Sequence, residues 1–235
     1  PRPHRGRARG GQETGLVTRV VLVDDQAVVR AGFTVILESE GLEVVGEASN
    51  GADAVRVARR ERPDVVCMDV RMPGGDGITA TRALAGPDVA DPVPVLVVST
   101  FDLDDYVFGA LEAGASGFLL KDAEPEVLVD AVRRVASGDG LVDQSLTRRV
   151  LGEFARRRAP VSRDDDAAAL LTPRELDIVA LLCRGSSNAE IATALFLEPS
   201  TVKSHLSRAM TKTGARDRVQ LVVWAFRHGI VDPAA

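Results

Sequence analysis

The chain has 235 residues and a formal net charge of −5, with 45% hydrophobic and 27% charged residues. That length suits one large domain or two small ones. No apolar run is long enough for a transmembrane helix, and residues 1–15 lack the apolar stretch of a signal peptide. Cys67 and Cys183 lie far apart in apolar runs, which argues against a disulfide framework or a cysteine-rich zinc site. We therefore expect a cytoplasmic protein without a membrane partner.

The charge is distributed unevenly along the chain. Residues 19–140 have a net charge of −11, whereas residues 170–235 have a net charge of +2. This asymmetry favours two domains, and it predicts that any polyanionic partner meets the C-terminal one. Residues 1–18 are rich in Gly and Arg without periodicity, which predicts a disordered arm; a direct contact of this basic arm with nucleic acid is the alternative.

Residues 19–140 alternate between short β-branched runs and helical patterns. The predicted strands cover residues 19–23, 44–48, 65–70, 93–99 and 117–121. The predicted helices cover residues 26–40, 51–61, 76–85, 103–113 and 124–137. Because the strands are nearly continuous runs of Val and Leu, they are expected to be buried on both faces. The pattern therefore predicts an α/β doubly wound domain with a five-stranded parallel sheet.

The rest of the chain has no strand pattern. Residues 141–169 contain an arginine cluster and an acidic block, and they predict a linker with room for a helix at 144–157. Residues 170–235 predict an all-α domain of four helices. Those helices cover residues 173–184, 188–195, 199–213 and 217–228. Thr172, Pro173 and Glu175 form the expected start of the first one.

Polar residues lie at the carboxyl ends of four of the five predicted strands. The first strand end supplies Asp24 and Asp25, the third Asp69, the fourth Ser99 and Thr100, and the fifth Lys121. Ligands of doubly wound sheets bind at this carboxyl edge, where three carboxylates repel each other unless a divalent cation lies between them. Oxygen ligands favour Mg²⁺. With a lysine and a hydroxyl they form a cradle for a phosphoryl group, with Asp69 as nucleophile.

These residues, with MPGGDG after the third strand and GASGFLLKD around the fifth, resemble a two-component receiver domain of flavodoxin-like fold. The resemblance implies that Asp69 accepts phosphate from a sensor histidine kinase. It implies a Mg²⁺ site formed by Asp24 (mostly through water), Asp25, Asp69 and the backbone carbonyl of Arg71. It also implies that Ser99, where the family usually has threonine, is the switch hydroxyl. Phe118 is then the switch aromatic, which fills from the surface the space that Ser99 vacates.

Two other functions compete with this interpretation. A haloacid dehalogenase-like phosphatase also uses an aspartate nucleophile, but it needs a second carboxylate two residues later, where this chain has Arg71. We therefore expect no turnover on external substrates. The second alternative is a DNA-binding protein whose receiver serves only for dimerisation or ligand binding. Because neither Arg71 nor Phe101 orients water as a carboxylate or amide does, slow self-dephosphorylation is predicted.

The segment SNAEIATALFLEPSTVKSHLSRAM resembles a LuxR-type helix-turn-helix, and the match extends over about residues 172–230. Its recognition helix is predicted at 199–213, with Val202, Leu206 and Met210 directed inward. The resemblance implies base-edge contacts by Lys203, Ser204 and Ser207. It implies phosphate contacts by Ser200, Thr201, Arg208 and Lys212. Some relatives have lysine at the position of Ser207, so this chain is expected to read more of its site through DNA shape.

Both domains together resemble a NarL/FixJ-family response regulator. The resemblance implies that phosphorylation releases or pairs the C-terminal domains. A homodimer would then bind two promoter half-sites about one helical turn of double-stranded DNA apart. Relatives use the last helix for pairing, so Val222 is a candidate dimer contact, with packing inside its own domain as the alternative.

Overall fold

A computed structural model describes residues 17–72, 77–100, 105–138 and 164–231. The expectations about the N-terminal arm, the MPGGDG turn, Phe101 and most of the linker fall on residues outside these ranges. Within these ranges, no helix has both the length and the apolar character needed to cross a bilayer.

The N-terminal domain contains one parallel sheet with the strand order β2-β1-β3-β4-β5. The strands are β1 (Arg19–Val23), β2 (Glu43–Ala48), β3 (Val65–Met68), β4 (Val95–Ser99) and β5 (Gly117–Leu120). The doubly wound α/β prediction is confirmed. Strand β4 begins two residues later than predicted, since Pro94 has no N–H for the ladder and contributes only its carbonyl, to Val66.

Five helices cover the two faces of the sheet. They are α1 (Ala27–Ser39), α2 (Gly51–Glu61), α3 (Gly77–Ala85), α4 (Asp105–Ala113) and α5 (Pro125–Ala136). Alternate residues of each strand enter different cores, because successive side chains point to opposite faces. Val21, Met68 and Val97 belong to the core that includes residues of α2, α3 and α4. Val20 and Leu96 belong to the core formed with α1 and α5.

The C-terminal domain is all-helical, as predicted. The structure describes α6 (Asp165–Ala169), α7 (Pro173–Cys183), α8 (Asn188–Leu195), α9 (Pro199–Thr213) and α10 (Arg218–Arg227). The last four match the predicted helices to within one residue at each end. Helix α9 is the predicted recognition helix, and Gly214 ends it in the left-handed conformation with φ 71°.

Helix α6 lies inside the segment predicted as a linker. The side chain of Asp164 caps it by accepting a hydrogen bond of 3.0 Å from the N–H of Ala167. Acidic residues in the first helical turn stabilise the helix because they interact favourably with the helix dipole. The N–H of Asp164 donates to the carbonyl of His228 at 3.0 Å, and its carboxylate lies 2.8 Å from Nδ1 of that residue. Residues 164–169 therefore belong to the folded C-terminal domain, because α6 is held against the end of α10.

Candidate functional site

Three polar residues are fixed at the carboxyl edge of the sheet by extensions of the strand ladders. The backbone N–H groups of Asp24, Asp69 and Lys121 donate hydrogen bonds of 2.8–3.1 Å to carbonyl groups of neighbouring strands. Each residue directly follows its strand, so the ladder continues for one more residue beyond β1, β3 and β5. The predicted site residues therefore meet at one edge because parallel strands end together.

The ammonium group of Lys121 bridges two buried carboxylates. Its Nζ lies 2.5 Å from Oδ2 of Asp24 and 2.7 Å from Oδ2 of Asp69, and the three side chains are 9% exposed or less. Burial lowers the pKa of Lys121, but the hydrogen bonds and charges of the two carboxylates outweigh it, so the pKa is raised above its ordinary value. The lysine therefore remains a fixed positive charge in the pocket.

A third carboxylate makes the pocket suitable for a cation. Single oxygens of Asp24, Asp25 and Asp69 lie within 4.8 Å of one another, and Asp25 is exposed to solvent. The other oxygens are oriented by backbone groups, since Oδ1 of Asp69 accepts from the N–H of Arg71 at 3.0 Å. One ammonium opposes three carboxylates, and hard oxygen donors with an open side are the ligand set that Mg²⁺ prefers. The residues present therefore fit Mg²⁺.

Ser99 ends β4 beside this cluster. It is 1% exposed, and its hydroxyl has no hydrogen-bond partner among the described residues. A buried unsatisfied hydroxyl costs about 1–3 kcal/mol, so such groups are rare unless a ligand or a functional change satisfies them. The backbone carbonyl of Ser99 accepts a hydrogen bond of 2.8 Å from the backbone N–H of Lys121, which keeps the serine next to the lysine.

Phe118 is buried and does not lie at the surface, where its predicted switch movement would begin. The sequence predicts that this ring enters from the surface, whereas the structure has it 1% exposed. Phe118 pairs with Val97 in the sheet, and its side chain belongs to the core formed with α3 and α4. Its alternation in β5 directs it into that core, so an inward rotation has nothing left to bury.

Gly77 allows α3 to approach the end of β3 closely. A Cβ at this position would overlap the carbonyl oxygen of Asp69 and would lie 2.6 Å from Cα of Val70. Because both neighbours are backbone, neither can rotate away. The glycine in MPGGDG that the structure describes is therefore required for packing next to Asp69.

Two capping boxes fix the helices that support the recognition helix. The hydroxyl of Thr172 accepts from the N–H of Glu175, whose carboxylate accepts from the N–H of Thr172 at 2.8 Å. Ser187 and Glu190 form the same arrangement at the start of α8. Each box satisfies two backbone donors that have no partner inside the helix. The predicted start of α7 is thus explained by its sequence.

The inward face of α9 differs from the prediction at one position. Val202 and Leu206 are buried as predicted, but Met210 is only partly buried, and Ala209 is 1% exposed. A helix has 3.6 residues per turn, so a seven-residue step from Val202 returns to the same face more closely than an eight-residue step does.

The predicted DNA-contact residues lie mainly on the outer face of α9. Thr201 is half-buried, and the others are exposed: Ser200, Lys203, Ser204, Ser207, Arg208 and Lys212. The ammonium of Lys212 lies 2.6 Å from the carboxylate of Glu175, which is 3% exposed. Burial raises the pKa of Glu175, but Lys212 and Thr172 lower it below its ordinary value. A phosphate contact by Lys212 would therefore share this lysine with Glu175.

Polar side chains around α10 bind backbone carbonyls of the N-terminal domain. Nε2 of Gln220 donates to the carbonyls of Leu111 at 3.1 Å and Ala115 at 2.8 Å. Nη2 of Arg227 donates to the carbonyl of Glu112 at 3.0 Å. Residues in and next to α10 therefore supply additional donors to the last turn of α4, where the carbonyl of Leu111 also accepts from the N–H of Gly114.

A second group of contacts lies at the start of α10. Nη2 of Arg216 donates to the carbonyl of Ala85, the last residue of α3. The carboxylate of Asp217 caps α10 and also accepts a hydrogen bond from the hydroxyl of Ser116. The sequence analysis did not identify the residues of α10, or those just before it, that contact the receiver. The one sequence feature that could have indicated this contact is that Gln220 and Arg227 share a face of α10. Polar residues on one face are ordinary for any exposed helix, so the feature is weak.

The comparisons with known proteins agree with both domains. Residues 20–133 match the response regulator receiver domain, and residues 169–225 match the bacterial regulatory proteins of the luxR family. The uncharacterized transcriptional regulatory protein YxjL of Bacillus subtilis (strain 168) is 38% identical over 217 residues, which cover 91% of this chain and 97% of YxjL.

Two further relatives also align over most of this chain. The oxygen regulatory protein NreC of Staphylococcus aureus (strain bovine RF122 / ET3-1) is 36% identical, with 91% of this chain and 99% of NreC covered. The crystal structure of the response regulator ChrA of a heme-sensing two-component system has a TM-score of 0.50 at 37% identity, with 91% of this chain and 98% of ChrA covered. The chain therefore belongs to the NarL/FixJ family of response regulators, which are DNA-binding transcriptional regulators of two-component systems.

Proposed function

We propose that Asp69 is the residue of this response regulator that accepts a phosphoryl group from a sensor histidine kinase. The observation that carries the proposal is the bridge from Lys121 to Asp24 and Asp69, next to a third carboxylate and an unsatisfied hydroxyl. Burying several acids around one lysine costs folding free energy. Clusters of this kind are typical of sites that act on charged groups.

The transfer forms an acyl phosphate on Asp69. One of its carboxylate oxygens attacks the phosphorus of a phosphohistidine, an O–P bond forms, and the P–N bond breaks with its electron pair moving to the imidazole. The pocket would hold Mg²⁺ with Asp24, mostly through water, with Asp25, Asp69 and the backbone carbonyl of Arg71, and this ion would neutralise charge on the phosphoryl oxygens. Lys121 then pairs with the phosphorylated Asp69, and the hydroxyl of Ser99 donates to a phosphoryl oxygen.

The pocket favours a single acyl-phosphate cycle over turnover on external substrates. Hydrolysis of phosphate esters by an aspartate nucleophile needs a general acid two residues later, and this chain has Arg71 there. The N–H of Arg71 instead orients the carboxylate of Asp69. A small phosphate ester such as p-nitrophenyl phosphate is therefore expected to give no sustained release of product.

We propose that α9 enters the major groove of promoter DNA. Its inward face is anchored by Val202 and Leu206, so the opposite face can meet base edges and phosphates. The residues proposed for base edges are Lys203, Ser204 and Ser207. The residues proposed for phosphates are Ser200, Thr201, Arg208 and Lys212. Dimerisation on phosphorylation would bring two such helices to half-sites about one helical turn apart.

The contacts between the domains support control of DNA binding by phosphorylation. A cleft between the two domains is lined on one side by Lys203, Ser207 and Met210 of α9. Its other side is lined by Arg134 and Gly138, at the end of α5. The receiver therefore lies beside the face of α9 that is proposed to contact DNA. Helix α10 is bound to the end of α4 by Gln220 and Arg227. A shift of α4 on phosphorylation would break these hydrogen bonds and release the recognition helix.

Beryllofluoride with Mg²⁺ tests the proposal, because it mimics an aspartyl phosphate. The wild-type chain is expected to gain mass in sedimentation and to bind promoter DNA more tightly, and Asp69→Asn is expected to do neither. Asp64→Asn, an acid outside the pocket, is the matched control. A mass shift that persists in Asp69→Asn, or DNA binding unaffected by beryllofluoride, would support the alternative of a phosphorylation-independent DNA-binding protein.

A further inference from the structure

A buried carboxylate joins the start of α7 to the last turn of α9. Oε2 of Glu175 accepts hydrogen bonds of 2.8 Å from the backbone N–H of Thr172 and 2.6 Å from Nζ of Lys212. The side chain of Glu175 is 3% exposed and that of Lys212 is 37% exposed. Burial raises the pKa of Glu175, but Lys212 and Thr172 bring it below its ordinary value, so the carboxylate is charged at neutral pH.

Lys212 is held by this contact and yet remains accessible from solvent. An ammonium group has three N–H donors, and one of them is directed at Glu175, which leaves donors for a second acceptor. Arg208 is exposed one helical turn earlier on the same face of α9, and two like charges at this spacing repel each other. The carboxylate of Glu175 offsets that repulsion, so α9 can present both cations together.

The contact also limits the freedom of a long side chain. A free lysine loses rotamer entropy when it binds a phosphate, whereas a lysine that is already anchored loses less. Glu175 is buried and negatively charged, so it is not itself a contact for a phosphate. Any contribution of this carboxylate to DNA binding must therefore act through Lys212.

We propose that Glu175 is a positioning residue for DNA binding, which holds Lys212 in the orientation that meets a DNA phosphate. The inference rests on the proposed function, in which Lys212 is one of the phosphate contacts of α9. It reverses the usual effect of charge. Removal of an acid from a DNA-binding domain ordinarily strengthens binding to a polyanion, whereas removal of this acid weakens it.

Three substitutions separate positioning from charge and from stability. Glu175→Gln keeps the capping box, because glutamine serves at this position as glutamate does, but it removes the charge that holds Lys212. Asp177→Asn is the matched control, because it removes one negative charge from an exposed position of the same helix. Lys212→Gln removes the phosphate contact itself. Urea unfolding gives a temperature at which each variant is folded, so lost stability is not mistaken for lost binding.

The measurement is fluorescence anisotropy of the full-length, unphosphorylated chain with promoter DNA and with a duplex of unrelated sequence, at salt concentrations between about 50 and 200 mM. Glu175→Gln is expected to bind both duplexes about two- to tenfold more weakly, the cost of ordering one long side chain. The slope of log affinity against log salt should become flatter by up to about 0.9, as for the loss of one phosphate contact. Asp177→Asn should bind at least as tightly as wild type.

The Lys212→Gln background shows whether the effect passes through the lysine. Glu175→Gln should cause no further weakening there, and the salt slope of Glu175→Gln alone decides the question if Lys212→Gln does not fold. Binding by Glu175→Gln as tight as wild type or tighter, an unchanged slope, or an equal loss in both backgrounds overturns the proposal. A loss confined to promoter DNA also overturns it, because phosphate contacts act on any sequence.

Failure of the proposed function gives a different result. If wild type binds neither duplex, the proposed DNA interface of α9 is wrong, and the positioning role is wrong with it. If wild type binds both duplexes and Glu175→Gln binds them equally well, only the positioning role is wrong. The experiment contains no phosphoryl donor, so the proposed phosphorylation of Asp69 does not affect its outcome.

Discussion

The side-chain nitrogen of Gln220 lies 2.8 Å from the carbonyl oxygen of Ala115, so a residue of the DNA-binding domain completes hydrogen bonding in the receiver. The same nitrogen donates to Leu111 in the last turn of α4. One amide group thereby joins α10 to the end of α4 and to the segment between α4 and β5. Docking is geometrically specific because one amide group must reach the carbonyls of Leu111 and Ala115 at the same time.

Gln220→Ala is predicted to release the DNA-binding domain. Losing the hydrogen bonds to two backbone carbonyls is expected to weaken docking by about 1–3 kcal/mol. Affinity of the unphosphorylated chain for promoter DNA should then rise about fivefold or more, as measured by fluorescence anisotropy at fixed salt. Gln220→Glu places carboxylate oxygens against the same carbonyls, so its effect should be larger. DNA affinities equal to wild type in both variants would show that this contact does not restrain the DNA-binding domain.

Lys121→Met is predicted to make stability depend on Mg²⁺. The substitution leaves Asp24 and Asp69 facing each other without the bridging ammonium, and removing one partner of a buried ion pair costs about 3–5 kcal/mol. Urea unfolding without Mg²⁺ should show this loss, and added Mg²⁺ should recover more stability in the variant than in wild type. Lys121→Arg, which keeps the charge, is the control and should lose less. Identical Mg²⁺ effects in Lys121→Met and wild type would contradict a cation site among these carboxylates.

Gly77→Ala is predicted to destabilise the receiver. Its Cβ would meet the backbone of Asp69 and Val70, which cannot move aside, so a cost of about 1–3 kcal/mol is expected. Gly32 in α1 is a matched control, because a Cβ there meets nothing within 4 Å. Gly32→Ala should stabilise the chain by about 0.5–1 kcal/mol, as alanine does in a helix interior. Urea midpoints of the two variants moving in the same direction would refute this packing argument.

Asp217 is predicted to couple docking to pH. Burial raises the pKa of its carboxyl above the ordinary value of 3.8, although hydrogen bonds and the guanidinium of Arg216 oppose the rise. If release of the domain exposes the carboxyl, docking takes up a proton. Docking is then strongest below the ordinary pKa, and it weakens as the pH rises toward and through the raised pKa of the docked form.

Asp217→Asn separates this charge from the helix cap. Asparagine caps helices as well as aspartate does and stays neutral, so the variant should remain docked at every pH. We expect the DNA affinity of the unphosphorylated wild-type chain to increase with pH in the acidic range, and the affinity of Asp217→Asn to be low and flat once both are measured at constant ionic strength. The same pH slope in both proteins would exclude Asp217 as its source.

Ser99→Ala is predicted to separate phosphorylation from its consequence. The hydroxyl has no partner among the described residues, so its removal should leave the unphosphorylated chain as stable as wild type or more so. Beryllofluoride should still bind, but the gain in mass and DNA affinity should be lost, whereas Ser99→Thr should keep it. A full beryllofluoride response in Ser99→Ala would remove Ser99 from the switch.

Much of the fold follows from local sequence patterns. The Val and Leu runs of β1 and β3 predict a sheet buried on both faces, and the structure divides their residues between two cores. The capping box of Thr172 and Glu175 marks the start of α7, since a cap depends on residues only three positions apart. The start of α6 has an equally local cap, from Asp164 to Ala167, but its acidic block was interpreted as part of a linker. The contact of Asp164 with His228, 64 positions away, has no local signal.

The sequence by itself determined which residues meet in the acidic pocket, because the ends of parallel strands lie at one edge and Asp24, Asp69 and Lys121 each directly follow a strand. Only the tertiary structure decided the contacts of Gln220 and Arg216 with the receiver. Those contacts join residues about 105 to 131 positions apart through backbone carbonyls, which every residue carries. No side-chain pattern can encode such a partner, so only the packing of the two domains specifies it.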